Sequence, residues 1–294
     1  MKAPSPARLY LLLALMLAFW SFNYVMGKVA LREFPPLLLT GLRTAIAGLI
    51  MWPVYLLRKP PHQRDVWKWQ EFRTLALLGL CGVVVNQMFF VLGLARTSVA
   101  HAAIVIALTP MLVLLMAVGV GQEHITVPKA AGMEIALAGV AVLQLGKKSG
   151  TAATPLGDFL IFLAALTFAI FTVAGKTVTK RYGPVTVNTF AYVGGGLVLL
   201  PLTLWEGSQT ALRDISALAW LSVLYMAAFA SVLAYLIYYY ALTHAPASRV
   251  STLSYLQPLL ATLMAIPILH EPVTTPLVAG GALVLAGVYV TERG

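Results

Sequence analysis

The sequence predicts an all-α polytopic membrane protein of ten transmembrane helices, arranged as two inverted five-helix repeats. Three observations predict it. The 294 residues are 60% hydrophobic and only 10% charged, with a mean hydropathy of +0.86, where a soluble domain carries roughly 25% charged residues. Apolar runs of about 20 residues, the length that crosses the hydrocarbon core, recur along the whole chain. The chain also repeats itself. "PMLVLLMAVGVGQE", from Pro110 to Glu123, returns 148 residues later as "PLLATLMAIPILHE", from Pro258 to Glu271.

The expected spans fall at 8–27, 36–57, 72–94, 98–119, 128–146, 156–175, 184–204, 217–241, 247–268 and 276–291. Turn formers and charges separate them, as in "REFPP", "RKPPHQRD", "EHITVP", "GKKSGTAATP", "HAPAS" and "HEPVTTP". The opening "MKAPSPARLYLLLALMLAFW" has the look of a signal peptide, but no small-x-small cleavage site follows, so it reads as a retained first span. Cys81, the one cysteine, lies in an apolar run and leaves no intrachain disulfide and no Cys-based metal site.

Basic residues set the orientation. With the N-terminus inside, the inner segments hold Lys2, Arg8, Arg58, Lys59, Arg64, Lys68, Arg73, Lys129, Lys176, Lys180, Arg181, Arg249 and Arg293. The outer ones hold only Lys28, Arg32, Arg96, Lys147, Lys148 and Arg213. This bias places both termini in the cytoplasm, in a cell (inner) membrane. It also explains the net charge of +10. No basic stripe with interleaved aromatics points to nucleic acid.

The 148-residue offset holds without a gap. Gly27-Lys28 matches Gly175-Lys176, Pro36 matches Pro184, Pro53 matches Pro201, and Thr126 matches Thr274. "LAGV" at 137–140 returns at 285–288. Residues 1–146 form one half, 147–155 a linker and 156–294 the other half. Five spans per half is odd, so the second half enters the membrane from the opposite side. That is the pattern of alternating-access transporters.

The "GK" closing spans 1 and 6, "FPPLLLTGLRTAIAG" and the paired endings "EHITVPKAAGMEIALAGVAVL" and "EPVTTPLVAGGALVLAGVYV" resemble the EamA-type members of the drug/metabolite transporter superfamily. The resemblance covers nearly the whole chain. It implies a central cavity lined by spans 1, 3, 4, 6, 8 and 9, with spans 5 and 10 peripheral. It also implies secondary transport, in the export direction, of small metabolites such as amino acids or related compounds, or drugs.

Intramembrane polar residues are costly and call for a reason. Asn23, Asn86 and Gln87 lie at similar depth and can hydrogen-bond a polar cargo, or can join neighbouring helices. Thr109-Pro110 matches Gln257-Pro258, and each proline leaves the carbonyl four residues back without its helix donor. These pairs are candidate hinges and binding lips. Trp20 and Tyr255 lie well inside their spans and are candidate cavity aromatics, with Phe90, Phe168 and Phe171. Tyr238, Tyr239 and Tyr240 read as interface-belt residues. Glu123 and Glu271 follow matching spans on opposite faces, as gates or as helix caps. Arg43, the one base lying deep inside a span, could bind a carboxylate cargo or a gate residue, or snorkel to the outer interface, and reads as structural. Glu134, the clearest acid within a span, leaves H+ open as a coupling ion. Gly132, Ala136 and Gly139, echoed by Gly280 and Gly287, read as a close-packing stripe between spans 5 and 10.

No HExxH, GxSxG or Walker A loop is present. The expectation is a non-enzyme without cofactor, working on a small-molecule substrate in the lipid bilayer. A facilitative uniporter or channel-like carrier and a membrane-embedded enzyme are the alternatives.

Overall fold

The computed structural model describes residues 6–58, 69–145, 154–260, 263 and 274–294. Among the described residues the secondary structure is helical, with no strand. The helices are α1 (Pro6–Ala30), α2 (Pro36–Leu57), α3 (Trp69–Arg96), α4 (Val99–Ile106), α5 (Thr109–Gly119), α6 (Val127–Leu143), α7 (Pro155–Tyr182), α8 (Pro184–Gln209), α9 (Ala217–His244), α10 (Ala247–Thr252) and α11 (Thr275–Glu292). Among the described residues, eight helices are long and apolar enough to cross a membrane, counting 101–119 as one. The 17 residues of α6 make it slightly shorter. The expected span 247–268 is described through residue 260 and at 263. The chain is therefore an integral, multi-pass membrane protein.

Helix starts follow local chemistry. Pro36, Pro155 and Pro184 each occupy a first-turn position, where a missing N–H costs nothing. Thr126 and Thr274 cap α6 and α11 by accepting from the backbone N–H of Lys129 and Leu277. Ser216 caps α9 in the same way through Ala219. Glu33, from the α1–α2 connection, completes this cap from outside. The Ser216 hydroxyl and backbone N–H both donate to its carboxylate, at 2.6 Å each. The first of these bonds, then the second, holds the Glu33 carboxyl below its usual range. A depressed folded value adds stability above the unfolded value of about 4.3 and loses it as pH falls through the folded one. Glu33→Gln should therefore flatten the curve of unfolding temperature against pH below about pH 5, by a small amount because the site is exposed. An unchanged curve would show that the pairing does not form in solution.

Helix bounds recur at the 148-residue offset: α3 runs from 69 to 96, α9 from 217 to 244. Each contains a π-helical stretch, Leu80–Val85 in one and Met226–Leu233 in the other. These end at matching positions and rotate the side chains that follow.

Small residues decide the tightest packing. On α6 and α11, a β-carbon added to Gly139 would lie 2.6 Å from the backbone nitrogen of Val284 and 2.8 Å from the Gly280 carbonyl oxygen. One added to Gly280 would lie 2.7 Å from the backbone nitrogen of Leu143. On α2 and α8, one added to Gly48 would lie 3.2 Å from Val193 Cα, and one added to Gly196 would lie 3.2 Å from Ala45 Cα. Each contact is mirrored by its counterpart 148 residues away, which is the property of a self-complementary interface.

At one end of the bundle the Lys28 ammonium donates to the carbonyls of Leu94 (2.6 Å) and Thr97 (2.9 Å), where α3 ends. A cation is favourable at a helix C-terminus. Thr154 donates to the Arg96 carbonyl at 2.8 Å and brings the start of α7 to the same end. At the other end Tyr10 and Arg249 meet Glu292, and Arg181 meets Glu71.

Candidate functional site

Between these ends lies a cavity of about 610 Å³ of atom-free space, its mouth included. It is lined by Trp20, Asn23, Tyr24, Arg43, Asn86, Gln87, Phe90, Ile106, Thr109, Phe168, Tyr235, Ser254 and Gln257. The α1, α2 and α3 residues come from the parts of those helices nearest the Ala30–Pro36 connection, so the cavity favours that end of the bundle.

The structure brings together Trp20, Asn23, Asn86, Gln87, Phe90, Thr109, Phe168 and Gln257 around the cavity. Asn86 does two things at once. Its Nδ2 donates to the Ala164 carbonyl at 2.7 Å, joining α3 to α7, while the residue lines the wall. Trp20 Nε1 donates to the Ala230 carbonyl at 3.1 Å, which fixes the indole. The π-helical stretch in α3 immediately precedes Asn86 and Gln87, and that in α9 ends just before Tyr235.

Pro110 and Pro258 stand outside the lining but shape it. The chain is non-helical at 107–108, and α5 restarts with Thr109 and Pro110. In the second half the 3₁₀ stretch Leu253–Tyr255 reaches the position that matches Ala107. Each proline withholds a donor from the carbonyl four residues earlier, that of Ile106 or Ser254. Both of those residues line the cavity, where irregular backbone is tolerated.

Phe171 and Tyr255 are not in the wall. Both are fully buried. Phe171 packs in a ring cluster with Phe168, Tyr235 and Tyr239, and fills the space beside Gly82. Tyr238 and Tyr239 are also fully buried rather than in an interface belt, and Tyr238 shares a 2.7 Å hydrogen bond with Thr172. Helix α9 packs against α1, α2, α7 and α8, which covers its aromatic face. This cluster closes the cavity on the side opposite the Ala30–Pro36 connection.

Beyond it, Glu123 is buried and joins the end of α5 to the start of α10. Its carboxylate accepts from the Ser248 backbone N–H at 3.1 Å and from the Ser248 hydroxyl, and lies 3.5 Å from the Lys129 ammonium. Pro246, at the N-cap of α10, offers no side-chain cap, so Glu123 supplies it from 125 residues away. Glu271 falls outside the described residues. Glu134 is exposed on α6 and does not line the cavity.

Sequence reasoning missed Arg43 as a wall residue. It is only 3% exposed. Its Nε donates to Ser231 Oγ at 2.8 Å, and its Nη1 is buried without a hydrogen-bond partner. The signal was present, since Arg43 is the one base lying deep inside a span, but span 2 was not among the spans expected to line the cavity. In the structure α2 packs both against α8, through Gly48 and Gly196, and against the π-helical stretch of α9, where Arg43 bonds Ser231.

A helical, multi-pass membrane protein with a part-polar cavity among its helices is the class that fold and site define. The profile of the EamA-like transporter family matches residues 8–145 and again 155–293, and the chain belongs to that family. An uncharacterized transporter of Archaeoglobus fulgidus is 31% identical over 97% of this chain and 98% of its own length. An uncharacterized transporter of Bacillus subtilis is 28% identical over 96% of this chain and 86% of its own. A WAT1-related chloroplastic protein of Arabidopsis thaliana is 27% identical over 93% and 67%. A protein of solved crystal structure shares the fold, with a TM-score of 0.79 over 98% of each chain at 22% identity.

Proposed function

We propose that the chain crosses the membrane ten times, as inverted halves 1–146 and 156–294 joined by 147–155, and carries small metabolites or drugs by alternating access. It is a secondary transporter rather than an enzyme, working in the export direction from an inner membrane, with both termini cytoplasmic. The observation that carries this reading is the pairing of wall residues. Trp20 and Phe168, Gln87 and Tyr235, Ile106 and Ser254, and Thr109 and Gln257 all line the cavity, each pair 148 residues apart. Other pairs are split. Asn23, Tyr24 and Phe90 line it, while their counterparts Phe171, Thr172 and Tyr238 are fully buried in the closed end. In an inverted repeat the opposite-facing state exchanges these roles, so Phe171, Thr172 and Tyr238 become wall and Asn23, Tyr24 and Phe90 become seal. With the N-terminus inside, the described state faces outward, and Glu123 belongs to the closed inner gate.

The test is counterflow in proteoliposomes. Saturable exchange is expected, and Gln87→Leu should reduce it about tenfold, the order of one hydrogen bond, with the unfolding temperature little changed. Non-saturating flux would favour a channel, and product formation without flux an enzyme. A second reading, facilitated uniport, is favoured by the wall itself. Among the described residues no carboxylate lines it, so a proton gradient would have no acid there to act on. Flux that ignores an imposed pH gradient would select uniport.

Topology has its own test. Ser149→Cys, in the expected outer linker, should react with a membrane-impermeant maleimide from outside intact cells. Labelling only after permeabilisation would remove the inverted orientation.

A further inference from the structure

We propose that the cavity binds solutes through a carboxylate, held by the Arg43 guanidinium. The inference rests on the transport reading and names the substrate class of that same cavity. A cation taken out of water needs a partner, because the interior returns far less than hydration did. Arg43 is 97% buried by the measure of its 3% exposure, and its one hydrogen bond to a neighbouring side chain is the 2.8 Å bond from Nε to Ser231 Oγ. That bond uses the side of the fork next to the chain. Nη1 has no partner, and the residue forms part of the cavity wall.

Around it the wall offers neutral groups: Asn23, Asn86, Gln87, Thr109, Ser254 and Gln257. Among the described residues, Arg43 is the one charged side chain in the wall. The cavity thus has a net positive field with no built-in counter-charge, and low-dielectric walls strengthen such a field. The planar guanidinium matches a carboxylate through charge-assisted bonds, and arginine suits partly desolvated pairs because it is weakly hydrated. A second wall residue also carries an unpaired buried atom. Asn23 Oδ1 is buried without a donor. It complements a hydroxyl, amide or ammonium N–H on the solute that brings the carboxylate. Trp20, Phe168 and Tyr235 provide apolar surface for its body. The counterpart of Arg43 in the other half is Ala191, so the charge is single and seats one carboxylate.

The experiment uses the full-length protein in detergent and a panel of small carboxylates, each paired with its own amide: acetate and acetamide, phenylacetate and phenylacetamide, and the same pairs with chain lengths between. Binding is read by thermal shift and by quenching of tryptophan fluorescence. At least one acid should bind ten times or more tighter than its amide. Arg43→Gln should abolish that preference, and Arg43→Lys should keep part of it. The acid–amide contrast on the unaltered protein needs no variant, so a misfolded Arg43→Gln leaves the test intact. Equal binding of acid and amide across the panel, no binding by any acid, or an acid preference that survives Arg43→Gln would overturn the proposal. Counterflow separates it from the transport reading. Acid-selective binding without saturable flux keeps the site and removes the transporter. Saturable flux of a solute without a carboxylate, unaffected by Arg43→Gln, keeps the transporter and removes the site.

Discussion

Gly139→Val should lower the unfolding temperature in detergent by several degrees and reduce the yield of folded protein. The β-carbon alone would lie 2.6 Å from the Val284 nitrogen and 2.8 Å from the Gly280 carbonyl oxygen, both of them main chain of the facing helix. A flexible side chain could swing aside, but a helix backbone cannot. Helices α6 and α11 would have to separate, and Gly132, Gly280 and Gly287 in the same seam would lose their contacts too. Overpacking of this kind costs about 1–3 kcal/mol. In lipid the loss falls on van der Waals packing, the main force between apolar helices. Gly194→Val is the control. It adds the same bulk and the same β-branching within α8, yet nothing lies within 4 Å of its β-carbon position. Equal losses from the two substitutions would mean that helix propensity, and not the seam, sets the effect.

Glu123→Ala should cost about 1–3 kcal/mol, the order of stranding buried polar groups. The Ser248 N–H and hydroxyl lose their acceptor, and Lys129 loses its counter-ion. Glu123→Gln keeps an acceptor for Ser248 and should lose less. If the proposed inner gate is right, the alanine variant should also make a cysteine at Thr172 more reactive to a maleimide applied from the cytoplasmic side. Thr172 is fully buried in the closed end and bonded to Tyr238. Lower stability with unchanged reactivity at 172 would leave Glu123 as a helix cap and nothing more.

The two outcomes differ in how far each was visible in the sequence. The stripe of Gly132, Ala136 and Gly139 was legible because small residues at helical spacing have a direct geometric meaning in membranes. The prolines at 110 and 258 were legible for a similar reason, since a missing N–H is a local fact. The amides at 23, 86, 87 and 257 stood out because polar groups are rare within apolar spans. Glu123 was harder. Its position after α5 left capping and gating both open, and only the fold supplied Ser248, 125 residues away. Phe171 and Tyr255 were named from depth alone. Depth does not tell which way an aromatic ring turns, and both turn into packed core.

Helix starts were legible to within a few residues, because caps and prolines act locally, whereas several ends were not: α7 and α8 run on to Tyr182 and Gln209, past the expected 175 and 204. Pro36 and Pro184, Thr126 and Thr274, and the 148-residue register all belong to the legible part. The tertiary structure alone decided which faces meet. It placed Arg43, expected to be structural, in the cavity wall, and it buried Tyr238 and Tyr239, which a position near a span end had suggested for the interface. The physical reason is that in an apolar chain nearly every face of every helix is greasy enough to face either lipid or protein. Hydropathy then stops discriminating, and the rotation of each helix is settled by close contacts such as Gly48 on Tyr192 and Val193, formed between residues far apart in the chain.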